Sequence, residues 1–591
     1  MKISDIQNQS DSSIPIVIGV TGHRDLVEPS LVRNSLIEVF SEIKREYPNS
    51  PISILSALAE GADRLVPKVA FDVCGQSASL VSVLPFSQDD YEQDFITEES
   101  KGEFRKYLSK SEIVHYLGSK NDVLESRDSG YLSAGKFIVE HSNILISIWD
   151  GKIAVDSNGK ILTGGTSDIV DIALSRGVEE SEDNLLNPDD TIPVIHVFSE
   201  RINTKDGELH SHLNDLDVKN GKIIVHIPCG ADLFTFTPNV SEKDWLCNSL
   251  NKFTHKFADV ISNIDRFNKN IVSSINSEDF NNACNTSVSY LGFSKIFLSK
   301  LSDSSSALIK KYGIADTLAG KSQKRYWNVF HYIFFIAFSA ALFAQIYGDL
   351  WEKKIFLAIY LLGLITAYLV YRMFIKKLKF DQQFYDYRAL AEGMRVQIMW
   401  NLSGIQDNVS DYYLRSQRGE LDWIRYAIKN WTLLKSNKNK SDIKESIREI
   451  NNAWIIGQKE YYIKNIKSEK RKNKKGHICA WVLFSISIIF ALTVLFGYNT
   501  NYYFGLYSEF IIGFGPFMFA VFKYYLEKRA WNEHAEAYSQ QACLFSAAEF
   551  AMNNTSEDKK IKIIKQLGCE ALRENGDWVL LHRKRPAEPI L

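Results

Sequence analysis

The residues best suited to chemistry stand in a short glycine-containing turn near the N-terminus. The segment Gly19-Val20-Thr21-Gly22-His23-Arg24-Asp25 lies at the end of an apolar run. Glycine lets a ligand approach the backbone closely, and an arginine guanidinium can donate two parallel hydrogen bonds to a phosphate. We therefore predict a phosphate-binding turn whose candidate contacts are Gly19, Thr21, Gly22, His23 and Arg24.

A second turn of small and charged residues begins after the next apolar run, at Ser56. Its carboxylates can accept hydrogen bonds from the hydroxyl pair of a ribose. An alternative is that Arg24 and Arg64 simply pair with neighbouring carboxylates at the rim of the sheet, namely Asp25, Glu60 or Asp63. The candidate ligand contacts in this turn are Glu60, Gly61, Ala62, Asp63 and Arg64.

A third group of candidates lies further along the chain. Asp150 ends another apolar run, and Gly164-Gly165-Thr166 opens a stretch with helical periodicity. Backbone amides at a helix N-terminus bind anions, because they lack partners within the helix and sit at the positive end of its dipole. We therefore predict ligand contacts at Asp150, Gly164, Gly165 and Thr166. His210 and His212 stand in a polar, aspartate-rich loop, where we expect solvated imidazoles and no metal site.

Five short runs rich in β-branched residues must position these turns. They alternate with amphipathic stretches, which is typical of a parallel sheet covered by helices. Ligands of such sheets bind beyond the carboxyl ends of the strands, so the three turns should meet at one edge. The predicted fold class is therefore α/β, a Rossmann-like parallel sheet with helices on both faces. The predicted strands are residues 14–20, 51–55, 79–85, 143–149 and 192–198.

Composition limits the classes of function. A chain of 591 residues is too long for one core, so at least two domains are expected. A net charge of -2 argues against a nucleic-acid partner, which requires uncompensated lysine and arginine. The 7 cysteines are scattered without a CxxC pair, which suits packing in a reducing compartment. The polar first 13 residues resemble no targeting signal, so we expect a cytosolic N-terminus.

Four hydrophobic runs predict membrane-spanning helices. Each is close to the ~20 residues that a helix needs to cross ~30 Å of hydrocarbon. Lysine and arginine cluster before the first and third runs and after the second and fourth, so both termini should face the cytosol. The alternative, helices buried in a large globular domain, is favoured only by Gln345 and Glu509 within the runs. The runs are residues 329–347, 355–373, 478–498 and 503–522.

A unit of two spans followed by a polar helix occurs twice. The trailing stretches are residues 380–400 and 526–550, both with aromatic, alanine and acidic residues at three-to-four spacing. We expect long cytosolic helices there, packed together, so that the second part of the chain is an all-α four-span transmembrane domain. The core residues predicted on these helices are Tyr385, Leu390, Met394, Tyr538 and Phe545.

Four segments resemble the SLOG superfamily of Rossmann-like nucleotide sensors and nucleotide-processing proteins: GVTGHRDL, SALAEGADRL, LPFSQDDYEQDF and GGTSDIVDIA, within residues 14–200. The paired two-span units resemble the SLATT type of bacterial membrane effector, through topology more than through named residues. In the hydrolase branch of SLOG the motif reads PGGxGTxxE. Here Gly164-Gly165-Thr166 is followed by Asp168 and Asp171 and by no such glutamate. The resemblance therefore implies a nucleotide pocket without cleavage, with no catalytic residue and no cofactor.

The predicted organisation is a disordered tail, a nucleotide-binding domain, linker helices and two membrane hairpins, each followed by a cytosolic helical region. The main hypothesis is a homo-oligomeric effector of the bacterial inner membrane that permeabilises or depolarises the membrane when a nucleotide-derived signal binds, in antiphage defence. One alternative is a tethered enzyme acting on a nucleotide or NAD-like substrate, with Asp63, Asp150 and Asp168 as acids; another is a scaffold that recruits a partner. The predicted boundaries are 1–13, 14–270, 271–326, 327–375, 376–477, 478–525 and 526–591.

Overall fold

The chain folds into two compact units in a computed structural model. The sheet unit comprises Lys2–Asn282 and Asn408–Lys438, and the helical unit comprises Ala283–Asp407 and Asn439–Leu591. The structure describes residues 12–117, 127–153, 164–175, 191–202, 208–214, 216, 218–229, 232–252, 256–377, 379–414, 421–433, 443–497 and 502–583. Most of the predicted disordered tail, residues 1–11, lies outside the described residues, whereas Ser12 and Ser13 are buried.

The sheet unit is built on an eight-stranded sheet in the order β4-β3-β2-β1-β5-β6-β7-β8. The first six strands run parallel, and β7 and β8 are antiparallel to their neighbours. All five predicted strands are confirmed, while β4, β7 and β8 were not predicted. The strands are β1 (Ile16–Gly22), β2 (Ile52–Ser56), β3 (Ala78–Leu84), β4 (Ile113–Tyr116), β5 (Ile144–Trp149), β6 (Val194–Phe198), β7 (Ile223–Cys229) and β8 (Asp232–Phe236).

Helices cover both faces of this sheet, as predicted. Alternation along β1 sends Ile16, Ile18 and Val20 into one core and Val17 into the other, because successive side chains of a strand point to opposite faces. Helices α1, α2, α4, α7 and α8 contribute to the first core, and α5 and α6 to the second. The helices are α1 (Pro29–Glu46), α2 (Ala62–Cys74), α3 (Gln88–Tyr91), α4 (Glu98–Leu108), α5 (Arg127–Glu140), α6 (Thr166–Ser175), α7 (Trp245–Asn251) and α8 (Lys256–Val272). The next helix, α9 (Glu278–Ser289), begins in the sheet unit and ends in the helical unit.

One helix of the sheet unit comes from a distant part of the chain. The structure places the segment Asn408–Lys438 in the sheet unit, although it lies between the two membrane hairpins in sequence. Its Asn430 side chain donates to the carbonyl of Pro15 and to Asn143 Oδ1, both at 2.8 Å, and Trp431 Nε1 donates to the carbonyl of Ser13 at 3.1 Å. The start of β1 is therefore held by a segment more than four hundred residues away in sequence.

The described residues of the helical unit include four helices long and apolar enough to cross a membrane. These are α11, α12, α16 and α17. Helix α17 contains the whole fourth predicted run, and the other three helices contain the first three runs except for their last two or three residues. Three segments are π-helical: Ile346–Leu350, Arg372–Lys377 and Asn451–Ile456. The remaining helices are α10 (Lys295–Lys300), α11 (Asp303–Gln345), α12 (Lys354–Tyr371), α13 (Phe380–Leu402), α14 (Asp422–Leu433, in the sheet unit), α15 (Ile443–Ile450), α16 (Gly457–Leu495), α17 (Tyr502–Arg529), α18 (Trp531–Asn553) and α19 (Glu557–Arg583).

The repeated pattern seen in the sequence has a counterpart in the backbone. Helix α13 follows the second span and packs on α11, while α18 follows the fourth span and packs on α16. Both trailing helices have 23 residues. Each is preceded by one non-glycine residue in the left-handed region, Lys379 with φ 49° and Ala530 with φ 48°. Four of the predicted core residues are buried, namely Tyr385, Leu390, Met394 and Phe545, while Tyr538 is half-buried.

Candidate functional site

The topology of the sheet brings the predicted turns to one edge. After β1 the chain proceeds to β2, β3 and β4 on one side, and it then returns to β5 on the other side of β1. The strand order therefore reverses between β1 and β5, and parallel α/β sheets bind ligands at the carboxyl ends of the strands at such a point. His23 follows β1 and Asp150 follows β5 at this position.

The two glycines of the first turn serve close packing of the backbone. A Cβ on Gly22 would lie 2.5 Å from Ala62 Cβ and 2.6 Å from the carbonyl oxygen of Ile148. A Cβ on Gly19 would lie 2.5 Å from Ser142 Oγ, which places Gly19 inside the sheet rather than at its edge. Thr21 is half-buried next to Ser147 of β5. Of these candidates Gly22 lies where β1 meets the second turn, and Ala62 and Ile148 fill the space beside it.

His23, Asp150 and Arg201 form a buried polar group beyond β1, β5 and β6. The backbone amide of Asp150 and Nε of Arg201 both approach His23 Nε2, at 3.2 and 2.9 Å, and the same nitrogen lies 3.1 Å from Asp150 Oδ1. The Asp150 carboxylate accepts from the amide of Lys152 and from Arg201 Nε, both at 3.1 Å. Burial lowers the pKa of the His23 imidazole and outweighs the effect of Asp150. His23 is thus a neutral ring held between Asp150 and Arg201.

The second turn packs directly against the first. Ala62 N donates to the carbonyl oxygen of His23 at 3.0 Å. Gly61 has φ 72°, and a Cβ there would lie 2.4 Å from the carbonyl oxygens of both His23 and Arg24. Only glycine fits this position, because a side chain would meet strained backbone and two oxygens at once. The two predicted turns therefore form one continuous surface.

The charged candidates of the second turn are largely engaged within the protein. Arg64 is buried and donates from Nε to the carbonyl oxygen of Leu58 and from Nη1 to that of Ser100, both at 3.0 Å. Glu60 accepts a hydrogen bond from the Ser100 hydroxyl. The surroundings of Arg64 match the alternative of internal pairing, although its carboxylate partner is Glu103, at 3.2 Å, rather than a residue of the same turn.

Asp63 differs from these residues because the pKa of its carboxyl group is raised to about 7. It is buried at the start of α2, where Oδ2 accepts from the amide of Ala59 at 3.2 Å. Burial raises the pKa of the Asp63 carboxyl to about 7, although that amide and the charges of Arg24 and Arg64 act in the opposite direction. A carboxyl group that titrates near neutral pH can exchange a proton with a ligand hydroxyl.

The glycine pair opens α6, as predicted from the sequence. Gly164 has φ 80°, and its amide donates to Asp168 Oδ2 at 2.8 Å. The carbonyl oxygen of Gly165 accepts from Ile169, and Thr166 is the first helical residue. In this structure the amide of Gly164 is already bonded to a carboxylate, so a ligand anion would have to replace Asp168 there.

Arg24 is exposed and reaches towards the first turns of α5. Its Nη2 lies 3.4 Å from the Tyr131 hydroxyl, and the guanidinium stands 5.7 Å from the centre of that ring. Tyr131 also donates to Asp94, which follows β3. The sequence pointed to neither Tyr131 nor Arg201. For Arg201 a signal was present, a cation three positions after a predicted strand.

His210 and His212, expected to be solvated, are part of a histidine cluster on the sheet. Both are half-buried, and the ring centre of His212 lies 5.0 Å from that of His226. His226 Nε2 lies 3.3 Å from His196 Nδ1. Burial lowers the pKa of His196 and of His212 to about 4. Within the described residues, no group of three or more histidine, cysteine or acidic side chains is arranged to hold a metal ion.

Comparison with known proteins gives no match, either among protein-family models or among curated proteins. The edge of the sheet beyond β1 and β5 is therefore the basis for assigning a function. Its features are a topological switch point, two turns joined backbone to backbone, an exposed arginine and a carboxyl group that titrates near pH 7.

Proposed function

We propose that this protein is a membrane effector whose sheet unit binds a nucleotide-derived signal, an ADP-ribose or NAD derivative or a cyclic nucleotide. The observation that carries the proposal is the contact of the turn after β1 with the turn after β2 and with Asp150 after β5, at the switch point between β1 and β5. The described residues of the same chain include four helices able to cross a membrane. Glycine turns and a helix N-terminus suit phosphate, and carboxylates suit ribose hydroxyls.

The likeness of four segments to SLOG sensors and of the hairpins to SLATT effectors supports a role in bacterial antiphage defence. The distribution of lysine and arginine supports an inner-membrane protein with both termini in the cytosol. Four spans per chain leave little room for a pore, so a homo-oligomer is proposed. A signal can shift such a protein from 1:99 to 99:1 open only if it binds the open state better by about 5.5 kcal/mol, which several pockets can share.

Dye-filled liposomes containing the full chain test this function. ADP-ribose, NAD and cyclic nucleotides are added in turn, and we expect one class to release the dye. Arg24→Ala should abolish the release, because it removes the exposed guanidinium of the site. The matched control is Arg33→Ala on α1, which removes an exposed arginine paired with Asp72. Vesicles that stay tight with every nucleotide would contradict gating.

The pKa of Asp63 favours a second candidate, a membrane-tethered enzyme that acts on a nucleotide or NAD-like substrate. A carboxyl group titrating near pH 7 is suited to general acid-base chemistry. Incubation of the purified chain with NAD and nucleoside monophosphates, followed by chromatography, tests it. Products that disappear in Asp63→Asn would support the enzyme, and unchanged substrates would remove it.

A further inference from the structure

The first turns of α5 connect three of the loops at the edge of the sheet. Tyr131 contacts Arg24 of the β1 turn. Arg127 bonds to Asp90 at 3.1 Å and to Asp94 at 2.5 Å, both in the segment after β3. The backbone of α5 also lies against the glycine pair, since a Cβ on Gly164 would stand 2.9 Å from the carbonyl oxygen of Asp128. The start of α5 is therefore the common neighbour of these loops.

We propose that Arg24, Arg127 and Tyr131 form a phosphate subsite, and that Asp94 occupies it as a built-in anion when no ligand is bound. The inference rests on the proposed function and adds Arg127 and Tyr131 to the site that already includes Arg24. One carboxylate oxygen of Asp94 accepts from Arg127 Nη2, and the other accepts from the Tyr131 hydroxyl. Two oxygens of a phosphate can take the same two donors, with Arg24 beside them.

An aromatic cluster holds the donors in place. The Arg127 guanidinium stacks 4.4 Å from the ring centre of Phe86, which is itself buried. Phe86 meets the Tyr131 ring edge to face at 5.6 Å. A stacked guanidinium loses less conformational freedom when it binds a ligand, so less binding energy is spent on ordering it.

Accessibility supports a ligand rather than a purely structural role. The Arg127 side chain is 45% exposed and that of Asp94 is 16% exposed, so a phosphate arriving from solvent can reach the pair. Asp168 holds the amide of Gly164 in a similar way, 2.8 Å away. Two separate anion-binding groups at this edge are thus satisfied by carboxylates of the protein. A phosphate carries more negative charge than a carboxylate and can displace Asp94 from both donors.

Inorganic pyrophosphate is the probe for this subsite, because it presents phosphate chemistry without a base or sugar. Its affinity is measured by calorimetry on the full chain in lipid nanodiscs. Asp94→Asn removes the competing charge and should tighten binding about tenfold, whereas Arg127→Gln should weaken it about tenfold. Tyr131→Phe is a milder variant that should weaken it less. The control is Arg105→Gln, because Arg105 pairs with Glu92 of the same segment at 2.6 Å and should leave the affinity unchanged.

The outcomes separate this inference from the proposed function. If the wild type binds pyrophosphate and Asp94→Asn, Arg127→Gln and Tyr131→Phe all bind it equally well, the subsite is wrong and the signal site survives. If neither the wild type nor Asp94→Asn binds pyrophosphate, the subsite is overturned, and the dye-release experiment alone decides the signal site. A purely structural role for Asp94 predicts a lower melting temperature in Asp94→Asn with no gain in affinity, and that result also overturns the inference.

Discussion

The two units differ in the titratable groups that they bury. The helical unit buries charges and pairs them: Glu392 binds Arg388 with one oxygen at 2.6 Å and Arg395 with the other at 2.9 Å. Asp316 takes the second bond of Arg388 at 2.7 Å, and the Tyr312 hydroxyl takes that of Arg395 at 2.8 Å. This network joins α11 to α13, so each charge there depends on its partners.

The sheet unit also buries ion pairs, such as Asp150 with Arg201, but in addition it buries several histidines whose pKa is lowered. His196 is fully buried, and its Nε2 lies 2.9 Å from the carbonyl oxygen of Trp149, with which it forms a hydrogen bond. Burial lowers the pKa of His196 to about 4 and that of His141 to about 3. The helical unit should therefore be sensitive to the loss of one member of its ion network. The sheet unit should be sensitive to acid, which protonates its buried histidines.

Arg395→Ala gives the largest effect that we predict. Removing Arg395 leaves the largely buried Glu392 paired with Arg388 alone. Breaking a buried ion network costs about 3–5 kcal/mol. The folded fraction in detergent, measured by size-exclusion chromatography after heating, should fall strongly. The matched control is Arg573→Ala, an exposed arginine of α19, which should change stability little. Equal losses in the two variants would show that the ion network does not stabilise the helical unit.

Gly61→Ala should destabilise the binding edge of the sheet unit by about 2 kcal/mol or more, because Gly61 has φ 72° and its Cβ would press on two carbonyl oxygens. Thermal unfolding and pyrophosphate binding measure the effect, and both should worsen. Gly102→Ala is the control. Nothing lies within 4 Å of a Cβ at Gly102, which is inside α4, so alanine should stabilise there by up to about 1 kcal/mol. Tolerance of alanine at Gly61 would refute the tight junction of the two turns.

The predictability of the fold followed the strength of the local signal. Runs such as residues 14–20 and 143–149 are continuous and β-branched, and they became β1 and β5. Strand β4 has four residues and a half-buried pattern, so its run is too short to register. The docking of α14 beneath β1 depends on contacts such as that of Trp431 with Ser13, which no local pattern encodes.

The position of the candidate site could be predicted from the sequence better than the residues that form it. The carboxyl ends of parallel strands share an edge, so the turns holding Gly22, Gly61 and Gly164 could be placed together from sequence. Asp94 and Arg127 could not, because their partnership forms only when α5 crosses back over the sheet from β4. Arg64 was wrongly expected to be available to a ligand, because its partners Ser100 and Glu103 lie in α4 and no sequence pattern marks them.

Acid should affect the two units in opposite directions. Among the described residues of the sheet unit, six histidines have a lowered pKa, against three carboxyl groups with a raised one: Glu46 at about 8, Asp63 at about 7, and Asp171. A buried neutral histidine contributes full stability above pH 6.5 and loses about 1.4 kcal/mol per pH unit below it, until its folded pKa is reached. The net expectation is a loss in the sheet unit as pH falls from 6.5 towards 4.

The helical unit should gain over the same range, because the rise in the pKa of Glu574 is larger than the lowering of that of His534. Burial raises the pKa of Glu574 to about 7, and Glu392 and Asp577 act in the same direction. A carboxyl group with a raised pKa adds stability that is fully present at a pH below its pKa in the unfolded state. This stability is lost as the pH rises through the folded-state pKa of about 7. Limited proteolysis of the full chain in detergent at pH 7 and pH 5 should show new cuts in the sheet unit at pH 5. His226→Gln should reduce them, and new cuts confined to the helical unit would reverse the prediction.

The smallest effect concerns the left-handed residues that precede the trailing helices. Ala530 has φ 48°, a conformation that costs a residue with a Cβ about 1 kcal/mol and costs glycine nothing. Ala530→Gly should therefore stabilise the helical unit by up to about 1 kcal/mol in thermal unfolding. Ala547→Gly is the matched control: the same substitution at an exposed position inside α18 should destabilise by about 1 kcal/mol. If both variants lose stability, the strain at Ala530 is absent, and the likeness between the Lys379 and Ala530 joints carries no energetic meaning.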